Sequence, residues 1–310
     1  MGVLRLRQRI AQRLAHPQRY DNLRRIRLLD PDVDHDEILA LTSRHDFPWD
    51  FVQGTGIAFL RDYGIPSISR LLHETGEFEH DGIKRYDDTV LIGEESTIEG
   101  IDSPRSHAAV RRLNRIHGHY DIPDDEFAYV LATTIVGPVR WISEFGWRQL
   151  DPHELVAIAR VTTRFGELMG IKGLPSTYAG YLELLVDYET EHFAPDPANT
   201  ALAEATISIA RAVAPLPLRP FVRRITIALM DEQLRHALGL PAQPAWLVRG
   251  VRRGLRLRAL ALRFAPPRTT PYRHRATTYP GGHVLTQLGP LSMLEELNDQ
   301  SGRRASGGVA

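Results

Sequence analysis

Residues 124–145, DDEFAYVLATTIVGPVRWISEF, decide the fold class of this chain. The stretch follows the break Asp121–Ile122–Pro123, and between its acidic start and Gly137 it becomes apolar on every side. A helix of that kind belongs in the middle of a core rather than on a surface. Gly137–Pro138 predicts that the helix kinks or ends there, and residues 139–145 then continue as far as Gly146.

The segment before this helix has the pattern of an amphipathic helix. Ser103 stands as the N-cap and Pro104 as the first helical residue, which are residues preferred at those positions. The apolar positions that follow are spaced by three and four, as one buried helix face requires. They are Val110, Leu113, Ile116, His117 and Tyr120, and the opposite side carries Arg105, Arg111, Arg112 and Arg115.

Further helices are predicted downstream. Asp151–Pro152 begins one that runs to Met169–Gly170, and Ser176 is the expected N-cap of another that runs to about Phe193. A third is expected near residues 200–214. Strand-length alternation of Val, Ile and Thr is missing, and no βαβ pattern is visible. The sequence therefore predicts an all-α fold.

Composition excludes several classes of protein. The chain has 310 residues and no cysteine, which rules out a disulfide scaffold, a thiolate metal site and a cysteine nucleophile. The longest run without charge or strong polarity is Phe127 to Val139, well short of the roughly 20 residues that span a bilayer. Arginines interrupt the N-terminal residues, so no secretory signal is read there. We expect a cytoplasmic protein.

Charge is segregated along the chain although the formal net charge is zero. Residues 1–30 carry eight Arg and two acids, and residues 219–275 carry thirteen Arg and two acids. The segment 31–218 is therefore strongly acidic. Because the average charge is zero, we do not expect a general nucleic-acid binder.

The stretch 245–264 interleaves arginines with apolar residues, which predicts a basic amphipathic helix. Two interpretations stay open for it. The helix contacts the surface of an anionic membrane, or it docks on the acidic body of the same chain. Beyond Pro266–Pro267 the chain is expected to be rich in loops, and residues 301–310 are expected to be a flexible tail.

His117 is the histidine with the most informative environment. The sequence has no Walker loop, no G-x-S-x-G and no H-E-x-x-H, so chemistry must come from other residues or a cofactor. His117 lies mid-helix on the predicted apolar face, one turn past Leu113. A neutral imidazole there suits the axial ligand of a haem held between helices, and it also suits a hydrogen-bonded core residue. His119 lies about 200° further round the helix, so the pair cannot chelate one metal.

Arg85 and Thr89 are four residues apart and share one helix face. A fixed guanidinium beside a hydroxyl can polarise oxygen or anchor a carboxylate. The alternative is that Arg85 pairs with Asp87 or Asp88 on a solvated face.

Two Glu-x-x-His units suggest a different chemistry, a non-haem di-iron site. They are Glu77 to His80 and Glu189 to His192, with the spacing that di-iron carboxylate bundles use. Gly76 and Gly82 bracket the first unit, which argues against a long helix there. The second unit lies close to Pro195 and therefore near a helix end.

Several motifs together resemble the MpaB/rubber-oxygenase family, which includes the latex-clearing proteins, and follow its short bacterial subgroup. The likeness covers roughly 25–245. The motifs are Phe47–Asp50, Tyr63–Ser67, Lys84–Thr89, Leu113–Gly118, Gly137–Trp141 and Gly146–Arg148, in matching order and spacing. On this basis we divide the chain into a basic N-terminal arm at 1–24, a catalytic domain at 25–245, and a basic amphipathic segment with its tail at 246–310.

The resemblance implies a globin-like helical core that binds haem b and uses O2 to attack isoprenoid-like carbon–carbon double bonds. The family's proximal haem ligand falls on His117. Its distal Arg and Thr fall on Arg85 and Thr89, so Arg85 is expected to contact both cofactor and substrate. The lysine that caps the iron in one rubber-oxygenase type is Asp88 here.

We therefore expect a haem b-dependent oxygenase with a small lipophilic substrate. The sequence does not identify a redox partner. The di-iron enzyme and a non-catalytic carrier of haem or lipid remain the alternatives. Peripheral membrane contact through 245–264 is the expected interaction with a larger partner.

Overall fold

The computed structural model describes residues 16–299, so part of the predicted N-terminal arm and the predicted tail lie outside the described residues. Most of the described chain is helical. The α-helices are α1 (Asp21–Ile26), α2 (His35–Ala40), α3 (Pro48–Asp62), α4 (Pro66–Thr75), α5 (Glu77–His80), α6 (Gly82–Glu95), α7 (Pro104–His117), α8 (Asp124–Phe145), α9 (Pro152–Met169), α10 (Tyr178–His192), α11 (Pro197–Val213), α12 (Val222–Leu229), α13 (Glu232–Ala237) and α14 (Ala245–Leu262).

The all-α prediction is confirmed, since residues 16–299 contain no β-strand. A π-helical turn at Leu41–Asp46 and short 3₁₀ turns at Leu216–Phe221, Leu285–Gln287 and Leu291–Met293 complete the regular structure. Within this described range, each helix is either too short or too polar to cross a membrane.

Helix α8 lies at the centre of the fold, as its composition predicts. Its side chains Tyr129, Ala132, Ile135 and Val136 are fully buried in the main hydrophobic cluster. Helices α3, α9, α10 and α14 all pack against it. A helix that is apolar on every side is stable here because its neighbours cover every side.

Of the two outcomes predicted at Gly137–Pro138, a kink or an end, the end is wrong, because the helix continues through Pro138 to Phe145. A Cβ atom at Gly54 of α3 would lie 2.4 Å from the Cα of Pro138, and one at Gly137 would lie 2.7 Å from the Cβ of Ala58. The two helices therefore cross in backbone contact. The burial gained at this crossing outweighs the one helical hydrogen bond that proline cannot make.

Capping residues set the helix starts that position the site. Ser103 accepts a hydrogen bond from the backbone N–H of Ser106 at 3.1 Å, and α9 begins with a complete capping box between Asp151 and Glu154. Helix α10 differs from the prediction, since Thr177 rather than Ser176 is its N-cap and accepts from the N–H of Gly180. Ser and Thr are both preferred N-cap residues, so the sequence alone does not decide which of the two neighbours begins the helix.

One ion cluster ties the N-terminal helices to the C-terminal end of α8. Arg148 is buried and binds Asp46, which ends the π-helical turn, and Glu154 of α9. Trp147 beside it is fully buried against Tyr20 and Phe47. This cluster, called the Arg148 cluster below, holds three distant segments together.

Helix α14 confirms the predicted basic amphipathic helix and docks on the body through part of its arginines. Arg252 and Arg256 bind Glu144 of α8, and Arg258 binds Asp50 of α3. Residues 265–299 are largely irregular, as expected for this loop-rich region, and lie across α6 and α7.

Candidate functional site

His117 is the last residue of α7, not a mid-helix residue as the sequence pattern predicts. The apolar spacing continues to Tyr120, but the chain leaves the helix at Gly118, so the periodicity overruns the real end. The imidazole ring packs against Phe127 of α8, with ring centroids 5.1 Å apart. The apolar face on which the sequence places His117 thus contacts the central helix α8.

The imidazole of His117 has no hydrogen-bonding partner for its buried Nδ1 atom. Burial is the main cause that lowers the pKa of His117 to about 4, and the positive charge of Arg85 lowers it further. The ring is therefore neutral at physiological pH and keeps a lone pair available. A core histidine of the ordinary kind would satisfy both nitrogens within the protein.

Arg85 and Thr89 share one face of α6, as predicted. The guanidinium of Arg85 donates to the hydroxyl of Thr89, which in turn donates to the backbone carbonyl of Arg85 at 2.8 Å. The guanidinium also lies 5.3 Å from the ring centroid of Phe78 in α5. Because the charge of Arg85 also acts on the His117 ring, Arg85 with its bonded Thr89 lies near His117.

Pairing of Arg85 with Asp87 or Asp88 on a solvated face is not what the structure shows. Both aspartates are buried, and they bind groups of the segment 272–289 instead of Arg85. Asp88 binds Lys84 Nζ at 2.5 Å and accepts from the backbone N–H of Gly289 at 3.0 Å. Asp88, which stands where the resemblance places a lysine in one rubber-oxygenase type, is therefore engaged by Lys84 and by Gly289.

The segment 272–289, called the strap below, receives these aspartates. Tyr279 donates its hydroxyl to Asp88 at 2.7 Å, while His274 and the N–H of Thr278 bind Asp87 at 2.9 and 2.7 Å. Arg112 of α7 donates to the carbonyl of Leu288 at 2.8 Å. The strap thus joins the outer sides of the two helices that carry Arg85 and His117.

Glu77 lies within electrostatic range of Arg85, whereas the sequence pattern placed it only in a Glu-x-x-His unit. Burial raises the pKa of Glu77, and the charges of Arg85 and Lys84 oppose that shift. Tyr120 lies within the electrostatic influence of both Glu77 and Arg85. The four-residue helix α5 places Glu77 here, and its direction depends on the turn at Gly76, where φ is +66°.

The two Glu-x-x-His units do not form one site. Glu189 forms a buried double hydrogen bond with Arg61, which also binds Asp231. His192 and His80 direct their Nδ1 atoms to the carbonyls of the residues four earlier in the chain. Within residues 16–299, no group of three or more histidines and carboxylates is placed to hold a metal ion.

Comparison with known proteins agrees with the motif-based resemblance. Residues 44–264 match the family described as "ER-bound oxygenase mpaB/B'/Rubber oxygenase, catalytic domain". The chain belongs to this family. The matched region contains all three predicted site residues, includes α14, and ends before the strap.

Individual fungal relatives give the same result. The chain is 33% identical to the ER-bound oxygenase mpaB' of Penicillium brevicompactum, over 65% of this chain and 52% of that protein. It is 31% identical to the ER-bound oxygenase mpaB of Penicillium roqueforti, over 67% of this chain and 76% of that protein. The mpaB of P. brevicompactum is 33% identical over 65% of this chain and 56% of its own length. The chain thus spans about half the length of the two P. brevicompactum relatives.

Proposed function

We propose that this protein is a haem b-dependent oxygenase that uses O2 to oxidise or cleave a carbon–carbon double bond in a small lipophilic, isoprenoid-like substrate. Membership of the MpaB/rubber-oxygenase family supports an oxygenase. The observation that carries the haem assignment is the imidazole of His117, which is neutral, packs against Phe127 and has no partner at Nδ1.

The residues present fit a haem. A neutral imidazole is a common axial ligand of haem iron, and the imidazole of His117 is neutral and unpartnered at Nδ1. The cationic Arg85 stands close enough to act on His117 electrostatically. A guanidinium at such a place can bind a haem carboxylate or the polar end of a substrate.

Each site residue has a role that follows from its contacts. A bound haem supplies the redox-active iron that activates O2. His117 supplies the nitrogen ligand. Arg85 is held in place by Thr89, and its positive charge near His117 would stabilise negative charge on a bound substrate. The rings of Phe78 and Phe127 exclude water from these groups.

Glu77 is suited to hold a proton at the edge of the same pocket. Its pKa is raised by burial, so the carboxyl exchanges a proton nearer to neutral pH than an exposed glutamate does. The charges of Arg85 and Glu77 act on each other and on Tyr120, so Glu77 lies near the proposed site residues. We therefore assign Glu77 a proton-transfer role within the proposed reaction.

An absorption spectrum of the protein reconstituted with haem, recorded with dithionite and carbon monoxide, tests this assignment. We expect a Soret band that His117→Ala abolishes. His119→Ala is the matched control, because His119 lies two residues away with its side chain at the surface. A protein with no haem affinity, or a His117→Ala variant with an unchanged spectrum, would contradict the proposal.

Oxygen uptake tests the catalytic part of the proposal separately. We expect the haem-loaded protein to consume O2 in the presence of an unsaturated isoprenoid lipid and not in the presence of its saturated analogue. Haem binding without O2 uptake, across such a panel and with a chemical reductant, would favour the non-catalytic carrier instead.

A further inference from the structure

The outward side of α14 carries large apolar residues that the fold leaves in water. Trp246 is 67% exposed and Leu257 is 65% exposed, and both are on the side away from α8. Leu260 and Phe264 continue the same side at helical spacing. An exposed apolar stripe of this length, together with a basic surface, marks an interaction site rather than ordinary surface.

A second exposed apolar segment precedes a helix that packs against α14. Residues 211–221 form a projecting connection in which Val213, Leu216, Leu218 and Phe221 are all exposed, with Leu216 at 74%. This connection leads directly into α12, which packs against α14. The two exposed apolar segments are therefore linked through one packed pair of helices.

Both segments are purely basic. Residues 211–224 and 245–264 together contain ten arginines and no Asp or Glu. Arg249, Arg253 and Arg224 are exposed, and none of them has an ion-pair partner among residues 16–299. Their charges face solvent without neutralisation, although the body of the protein is acidic.

The docked arginines of α14 explain why its apolar side stays outward. Arg252 and Arg256 bind Glu144, and Arg258 binds Asp50 while its guanidinium lies 3.8 Å from the ring centroid of Trp49. These contacts fix the rotation of the helix. The two interpretations left open by the sequence are therefore compatible, because one face of α14 docks on the acidic body and the other faces outward.

We propose that the outward face of α14 and the connection 211–221 bind the surface of a membrane that contains anionic lipids. Trp, Leu and Phe side chains insert at the boundary between headgroups and acyl chains, while the arginines between them contact anionic headgroups. A nucleic acid would bind the arginines through its phosphates but would leave the apolar side chains exposed to water. The occupant that satisfies both sets of residues is the lipid surface.

Co-sedimentation with lipid vesicles tests the proposal on the full chain. We expect binding to vesicles of phosphatidylcholine and phosphatidylserine in equal amounts, weak binding to phosphatidylcholine alone, and release by high salt. Replacing Trp246 or Leu257 by Ser should lower binding, while Leu28→Ser should not, although Leu28 is 88% exposed elsewhere on the surface. All three positions are exposed, so the fold is retained.

Charge variants provide the second arm. Arg253→Gln should weaken binding to the anionic vesicles about fivefold, since one basic charge near such a surface contributes about that much. Arg111→Gln, at an exposed position on α7, should leave binding unchanged. Equal binding to neutral and anionic vesicles, or indifference to Trp246→Ser and Leu257→Ser, would overturn the proposal. A solution dimer that the same substitutions dissolve, without vesicle binding, would overturn it in favour of self-association.

Discussion

The Arg148 cluster and the pocket of His117 use hydrogen bonds in opposite ways. Arg148 is completely buried, and its five N–H donors bind Asp46, Glu154 and the carbonyl of Gln149. Near His117, Arg85 has the hydroxyl of Thr89 as its polar partner, and the Nδ1 atom of His117 has no partner. Both places bury polar atoms, but only in the Arg148 cluster does each of these atoms have a hydrogen-bonding partner.

This difference separates a structural role from a functional one. A saturated buried ion cluster fixes the relative position of the segments it joins, and it has no capacity left for a ligand. A site with unsatisfied donors and acceptors sacrifices some stability and gains the capacity to bind. Burial of polar groups by itself therefore does not identify the site; at His117 the missing partner coincides with a neutral imidazole and a nearby guanidinium.

The largest effect is expected at the Arg148 cluster. Arg148→Met should lower the free energy of unfolding by about 3–5 kcal/mol, because Asp46 and Glu154 would remain buried without their partner. Urea unfolding followed by circular dichroism measures the change. Arg160→Met removes an exposed ion pair with Asp32 and should cost less than about 1 kcal/mol. Equal losses in the two variants would refute the contrast.

Asp62 gives a pH-dependent test between these extremes. It is buried at the end of α3, its Oδ1 atom has no partner, and burial raises its pKa well above the usual aspartate range. The folded state therefore binds this proton more tightly than the unfolded state does. The free energy of unfolding that protonated Asp62 contributes is lost as the pH rises from its unfolded pKa through its folded pKa. Asp62→Asn should be more stable than the parent protein at neutral pH, with the difference shrinking toward pH 4.

Thermal unfolding of both proteins across this pH range decides the matter. Asp21→Asn, on the exposed side of α1, is the control for a general change in net charge. An Asp62→Asn variant that is less stable than the parent protein at neutral pH would contradict the prediction, because it would show that the ionised carboxylate stabilises the fold.

A smaller effect is expected where the strap meets α6. Tyr279→Phe removes the hydroxyl that donates to Asp88 and should lower the free energy of unfolding by about 1–2 kcal/mol. Amide hydrogen exchange should rise in residues 272–289 before it rises elsewhere. Tyr272→Phe, in the same segment but bound through its backbone N–H to Arg44, should change neither quantity.

The smallest effect on stability, and the most informative about the comparison, is expected at His117. In the haem-free protein, His117→Leu should leave the free energy of unfolding unchanged or raise it by up to about 1 kcal/mol, since it removes a buried polar atom that has no partner. Chemical unfolding of the haem-free variant measures this. A large loss of stability would identify His117 as a structural residue.

Local patterns were sufficient to predict much of the fold. The composition of α8 identifies a central helix, and Ser103 and Asp151 mark helix starts that the structure confirms. The continuation of α8 through Pro138 could not be predicted, because it depends on the close approach of Gly54 from a distant segment. Helix propensity describes the isolated segment, and the tertiary contact overrides it.

The site was predictable to the extent that its residues lie on regular helices. Helical spacing groups Arg85 with Thr89 and places His117 on an apolar face. Glu77 escaped because a four-residue helix between glycines has no periodicity that fixes its direction. The partners of Asp87 and Asp88 escaped for a different reason, since they lie almost 200 residues further along the chain.

The position of the strap also determines where this chain can be shortened. Sequence likeness to the family ends at residue 264, which would be the natural place to cut. A protein ending there would lose the groups of the strap that donate hydrogen bonds to Asp87 and Asp88. The two carboxylates would then lack these donors. The region that matches the family therefore ends before the segment that binds these two aspartates, and a shortened protein needs residues 272–289 to keep both of them paired.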